Sequence, residues 1–295
     1  MIPFFTANAP SLKMISAMAL AGSIGIFVVE SGETALTVVF YRCLIGGLAL
    51  LIYCLFVNRN DFAQLTLRNI LMMGLSGLTM AANWVMFFMA YSHASISMVT
   101  TVYHVYPFVL LFASAMIFSE KITARSIGWS ICAFLGVVFV ARGTGQGAEM
   151  SVAGLGLTMA AMICYAATLL ITKHLAEVPA SLLSLVQLLV GALALLPLAA
   201  VAGLRVDSDS WGLLLTIGVV HTGLLYVLLY GAVQSLETNR LAILSFLYPL
   251  TALIFDVAVY GVRPDWIQGT GIALITFAVL GEKLQFFRPS IGKSI

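Results

Sequence analysis

The stretch Thr100-Thr101-Val102-Tyr103-His104-Val105-Tyr106-Pro107-Phe108-Val109 decides the fold, because it places a proline near the middle of a long apolar run. The pattern recurs as Leu244-Ser245-Phe246-Leu247-Tyr248-Pro249-Leu250, with the two Tyr-Pro dipeptides 142 residues apart. A proline inside a helix removes one backbone hydrogen bond, and lipid offers no water to replace it. Interrupted helices at matching places in two halves of a chain point to a shared binding site near the membrane midplane.

Composition sets the surroundings of these two runs. Of 295 residues, 61% are hydrophobic and 9% charged, with a mean hydropathy of +1.07. Soluble domains carry about 25% charged residues. The chain therefore reads as an all-α polytopic membrane protein whose surroundings are the lipid bilayer. A net charge of +2 gives no basis for a nucleic-acid partner. Cys43, Cys54, Cys132 and Cys164 all lie in apolar runs without CxxC or Cys/His spacing, so they read as membrane-buried thiols, not disulfides or metal ligands. No cofactor motif or metal set is expected, and without a Walker motif nothing supports ATP hydrolysis. Lys13 precedes an apolar run that leads into further spans, which reads as a membrane segment and not a cleaved signal.

A spanning helix needs about 20 apolar residues. Ten such segments are predicted, at 14–30, 34–57, 68–91, 95–118, 122–142, 151–173, 180–203, 210–231, 238–260 and 265–287. Gly143-Thr144-Gly145-Gln146-Gly147 reads as a linker, giving a first repeat at 1–142, a linker at 143–150 and a second repeat at 151–295. Five spans per half reverse the chain's direction, so the two repeats are inverted relative to one another. The 142-residue offset also superposes Ala90 on Ala232, Leu111 on Leu253, Val137 on Val279 and Ser114 on Asp256. With the N-terminus inside, Lys13, Arg59, Arg68, Lys121, Arg125, Lys173, Arg240, Lys283, Arg288 and Lys293 face the cytoplasm, and Arg142, Arg205 and Arg263 face out. Cytoplasmic loops carry the excess of Lys and Arg, so both termini are expected in the cytoplasm of a bacterial inner membrane.

Several motifs occur in order along these spans. Phe40-Tyr41-Arg42 and Gly46-Gly47 lie in the second. Tyr106-Pro107, Phe118-Ser119-Glu120-Lys121, Gly128 and Gly136 mark the fourth and fifth. Tyr165-Ala166 lies in the sixth and Leu195-Leu196-Pro197 ends the seventh. In this set the chain resembles the EamA family of the drug/metabolite transporter superfamily over nearly its whole length. Where the family usually has Trp-Gly in the first span, this chain has Ala21-Gly22-Ser23, and the counterpart of Glu120 is Val262. The resemblance implies a ten-helix secondary transporter that exports small metabolites, often amino acids, through a central cavity and without ATP.

The residues able to line such a cavity follow from helical spacing. Pro107 leaves the Tyr103 carbonyl without its helical donor, and Pro249 does the same to Ser245. Thr100, His104, Pro107 and Ser114 share one face, as do Thr238, Ser245, Pro249 and Asp256. Polar faces of this kind turn inward, either to line a cavity or to bond a neighbouring helix. His104 and His221 lie in mid-span, where an imidazole serves as a proton-coupling site or as a neutral hydrogen-bonding group. Arg42 lies well inside its span, where an unpaired guanidinium costs about 2.5–3.5 kcal/mol on insertion scales. It needs a partner, with Glu30, Glu33 and Asp256 as candidates, and reads as a substrate-carboxylate anchor, a gate ion pair, or a structural or snorkelling charge. Asn83, Trp84, Phe87, Tyr103, Tyr106, Tyr226, Tyr230 and Tyr248 offer an aromatic, weakly polar lining suited to an amphipathic metabolite. The resemblance adds Tyr165. Two other readings remain at this level: a serine hydrolase built on Gly74-Leu75-Ser76-Gly77 with His104 or His221, and a passive channel.

Overall fold

The computed structural model describes residues 2–93, 96–142, 151–261 and 263–286. The proposed linker, Val262 and the basic C-terminal residues Arg288 and Lys293 lie outside them. The described residues form thirteen α-helical segments and no strands. They are α1 (Ile2–Ser31), α2 (Ala35–Val57), α3 (Leu67–Ala90), α4 (Ile96–Tyr103), α5 (Tyr106–Phe118), α6 (Ala124–Arg142) and α7 (Val152–His174). The rest are α8 (Ala180–Ala202), α9 (Trp211–Gly218), α10 (Leu225–Ser235), α11 (Thr238–Ser245), α12 (Leu247–Tyr260) and α13 (Trp266–Phe286). Three pairs are single spans with an interruption: α4 with α5, α9 with α10 and α11 with α12. That makes ten spans, in two five-helix repeats of inverted topology.

Local sequence chemistry starts several of these helices. Thr34, Thr66 and Ser151 each accept a hydrogen bond from the backbone amide three residues on, satisfying a donor the helix leaves free. Ser119 (φ 55°) and Gly261 (φ 65°), 142 residues apart, both take the left-handed conformation that ends α5 and α12. The same shift carries 96–103 onto α11 and 124–142 onto the start of α13. The repeat is thus far clearer in the backbone than in side-chain identity.

Two boundaries differ from expectation. The first helix begins at Ile2 instead of near residue 14 and runs through Pro10. The eighth span runs on to Ser235 instead of ending near 231. There Gln234 donates to the carbonyls of Leu175 and Val178 at 3.0 Å each, which ties the extra turn to the end of α7. The cysteines also divide: Cys43 and Cys54 are buried, whereas Cys132 and Cys164 are partly exposed, because they lie towards the outer faces of their helices.

The fifth and tenth spans show how the repeats are joined. α6 and α13 cross at Gly136 and Gly271. A Cβ on Gly136 would lie 2.7 Å from the Gly271 carbonyl oxygen, and one on Gly271 would lie 2.6 Å from that of Gly136. Only glycine lets two backbones approach so closely. The Cys132 thiol, near the same contact, donates to the Leu274 carbonyl at 3.7 Å, again across 142 residues. Ala133, Val137, Ile275 and Ala278 are fully or nearly buried around it, with Phe246 from the interrupted ninth span.

Gly136→Leu should separate α6 from α13 and destabilise the protein by about 1–3 kcal/mol or more. Gly128→Leu, where nothing lies within 4 Å of the added Cβ, should leave stability unchanged. Thermal unfolding in detergent separates the two. Equal melting temperatures would remove the close approach as a structural requirement.

Candidate functional site

Both Tyr-Pro spans break where proline removes the donor. α4 ends at Tyr103 and α11 at Ser245, the residues whose carbonyls lose their helical partner. Tight turns bridge the gaps: the Val105 amide donates to Val102 at 3.1 Å, and that of Phe246 to Ile243 at 3.2 Å. Each break redirects the chain, and the two breaks touch. His104 stacks on Tyr248 with ring centroids 5.4 Å apart and planes 19° apart. Phe108 packs on Phe246 with ring centroids 6.3 Å apart. His104 Nδ1 lies 2.6 Å from the Thr100 carbonyl. A carbonyl only accepts, so this bond assigns the proton to Nδ1 and leaves the lone pair on Nε2.

Aromatic rings extend from this contact into both repeats. Tyr103 lies 5.7 Å from both Tyr106 and Tyr165, and Tyr106 lies 4.8 Å from Tyr165. Phe87 of α3 packs on Tyr103 at 4.6 Å. Asn83 fixes the Tyr103 hydroxyl at 2.9 Å and donates to the Ala161 carbonyl at 2.8 Å. Tyr103, Tyr165 and Tyr248 are partly accessible, whereas Pro107 and Pro249 are buried.

Arg42 stands on the second side of this cluster. Gly46, one turn further along α2, has its missing Cβ 2.8 Å from the Gly218 carbonyl oxygen and 3.1 Å from Thr222 Cγ2. This contact draws α2 against residues Val219–Leu224, which form a π-turn inside the eighth span. Thr222 occupies that turn, donating to the Ile217 carbonyl at 2.9 Å and accepting from Arg42 Nε at 3.1 Å. The guanidinium carbon lies 4.3 Å from the centroid of Trp84, which meets Tyr226 edge-on at 6.0 Å. Tyr226 in turn packs on Tyr230 at 5.2 Å. Arg42 is 7% exposed. The carboxylates expected to pair with it do not, because helix packing holds them elsewhere. Glu30 accepts from the Tyr260 hydroxyl and Glu33 from the Asp207 amide, and Asp256 forms no ion pair with Arg42 among the described residues.

His221 is not part of the aromatic cluster. It turns towards α1, with Nε2 2.9 Å from Ser23 Oγ and its ring 4.5 Å from Phe27. Ser23 occupies the region where the first span departs from the Trp-Gly pattern. Among the described residues Ser76 bonds to no histidine: Gln187 donates to its hydroxyl, and that hydroxyl donates to the Thr168 carbonyl at 3.4 Å, so the Ser-His pair the hydrolase reading needs is not formed there.

One cluster escaped the sequence reading. Glu120, just beyond α5, pairs with Lys173 of α7 at 2.5 Å. The Ser114 hydroxyl and the Thr238 amide also donate to Glu120, at 2.9 and 3.3 Å. Lys173 donates to Thr238 Oγ1 at 2.7 Å and to the Leu236 carbonyl at 3.2 Å. Two first-repeat residues, Ser114 and Glu120, and three second-repeat residues, Lys173, Leu236 and Thr238, are thus tied together at one end of the bundle. The Phe-Ser-Glu-Lys motif was visible, but its partner 53 positions away was not. Burial opposes the charge on Glu120, yet the bonds from Lys173, Thr238 and Ser114 outweigh it and hold the carboxyl below its ordinary 4.5.

A family model described as the EamA-like transporter family matches residues 10–142 and 152–281. The chain is 27% identical over 267 residues to a protein named uncharacterized transporter YxxF from Bacillus subtilis (strain 168), covering 90% of this chain and 86% of that one. A solved crystal structure is similar with a TM-score of 0.81 at 15% identity, over 96% of this chain and 99% of that one, a likeness that concerns the fold alone.

Glu120→Gln should destabilise the protein by about 1 kcal/mol, since the pair is partly exposed. The lowered carboxyl pKa fixes the sign: Glu120 stabilises fully above its ordinary value, and the gain is lost as pH falls through the lowered one. The melting-temperature gap between wild type and variant should therefore close on acidification from pH 7. A gap that stays constant would contradict the charge network.

Proposed function

Because the chain belongs to the EamA-like transporter family, we propose that it is a secondary active transporter exporting amino acids or related small metabolites by alternating access. The observation that carries this reading is the crossing of the two interrupted spans, where His104 of one repeat stacks on Tyr248 of the other. A contact between two inverted repeats is where rocking of one half against the other changes access. The substrate binds among Arg42, Asn83, Trp84, Tyr103, His104, Tyr106, Pro107, Tyr165, Tyr226, Ser245, Tyr248 and Pro249, with His221 on the adjoining face. The Lys173–Glu120 cluster closes the cytoplasmic end in this state, both termini being cytoplasmic in a bacterial inner membrane. Its exchange for contacts at the other end would open the path.

A proton is the coupling ion in this reading. His104 has its Nε2 lone pair free to take one, and His221 is held by a single serine hydroxyl, a bond that either protonation state can make.

Expression in a bacterial host should raise tolerance to toxic amino-acid analogues and speed efflux of at least one labelled amino acid from preloaded cells. Unchanged efflux across the amino acids would sink that substrate class. His221→Ala should flatten the pH dependence of the efflux rate. An unaltered profile would remove His221 as a proton site.

A further inference from the structure

Arg42 is a buried cation on the wall of the site, and among the described residues no carboxylate neutralises it. Its surroundings hold it in place without discharging it. Thr222 accepts from Nε, which leaves the four N–H donors at the fork end of the guanidinium. Trp84 supports one face of the group. A cation–π contact stabilises the charge without cancelling it. Trp84 in turn meets Tyr226 edge-on at 6.0 Å, so the guanidinium sits beside the aromatic rings. A planar fork of donors matches a carboxylate in two parallel bonds.

Among the described residues no carboxylate of the aromatic cluster offers a counterpart for a cation: Asp256, the acidic residue of α12, lies two turns from Tyr248, or about 12 Å along the helix.

We infer that the site selects its substrate by an anionic head group: Arg42 takes a carboxylate, while the aromatic wall takes an apolar or aromatic body. This rests on the transporter reading above and narrows it. Neutral amino acids and aromatic monocarboxylates qualify, because the one charge they must present is negative. Amines lacking a carboxylate do not, since they would bring a second buried positive charge beside Arg42. Thr222 is a positioning residue here: it orients the guanidinium and does not itself meet the substrate.

The test uses the full chain in lipid nanodiscs and three probes with one ring and different charge: phenylacetate, L-phenylalanine and phenethylamine. Equilibrium dialysis should show phenylacetate and L-phenylalanine binding at least tenfold more tightly than phenethylamine. Arg42→Gln should weaken phenylacetate at least tenfold and tighten phenethylamine, because the like charge that repels the amine is gone. Thr222→Val keeps the charge but frees Nε, and should weaken phenylacetate several-fold. If Arg42→Gln fails to fold, the probe series on wild type and Thr222→Val still decides. Phenethylamine binding as tightly as phenylacetate, phenylacetate affinity unaffected by either variant, or no binding of any probe would overturn the inference. A protein that prefers the anion yet exports no amino acid would keep this charge rule and lose the export reading.

Discussion

The backbone hydrogen bonds missing at Pro107 and Pro249 constrain the rest of the structure. In lipid, an unsatisfied carbonyl is costly, so both breaks must face protein. They face each other. Ending α4 at Tyr103 and α11 at Ser245 aims His104, Tyr106 and Tyr248 at a common centre. The surrounding helices then supply what the centre needs: Asn83 to hold Tyr103, Tyr165 to pack on Tyr106, and Gly46 to bring α2 with Arg42 alongside.

The two repeats share a backbone plan but not a chemistry. The offset of 142 residues holds for the breaks, for the left-handed residues Ser119 and Gly261, and for the Cys132–Leu274 contact at the crossing of α6 and α13. It fails at the charged groups. Arg42 corresponds to Ser184, which donates to its own helix. Lys173 corresponds to Ser31, which likewise bonds within its helix, to Val28. In the proposed alternating access, inverted symmetry would let the halves rock, and unequal charges would let the two ends of the path differ. The π-turn at Val219–Leu224 is one more such difference, because the matching part of α3 is an uninterrupted helix.

Much of the fold was legible because its causes are local. Apart from the start of the first helix, apolar length placed the spans to within a few residues, and the proline rule placed both breaks. Helical spacing also turned His104, Ser114, Thr238 and Ser245 inward, where all four are buried. The pairings were not legible, because they join residues far apart in sequence and depend on helix register. Thr222 is an ordinary threonine until Gly46 lets α2 approach it. Lys173 looked like an end-of-helix charge until it met Glu120. Carboxylates were the named candidates to partner Arg42, and the protein instead gives it a threonine oxygen and a tryptophan face.

The central claim is that the crossing of the broken helices is the place where substrate binds and access alternates. Ser245→Cys, in a chain with Cys43, Cys54, Cys132 and Cys164 replaced, puts one thiol at that crossing. Its rate of modification by a membrane-impermeant thiol reagent, applied from each side in turn, is the most direct measurement. The account predicts that a transported solute slows modification and that a change in pH or solute gradient shifts which side reaches the thiol. Rates that stay the same from both sides while the protein is transporting would contradict it.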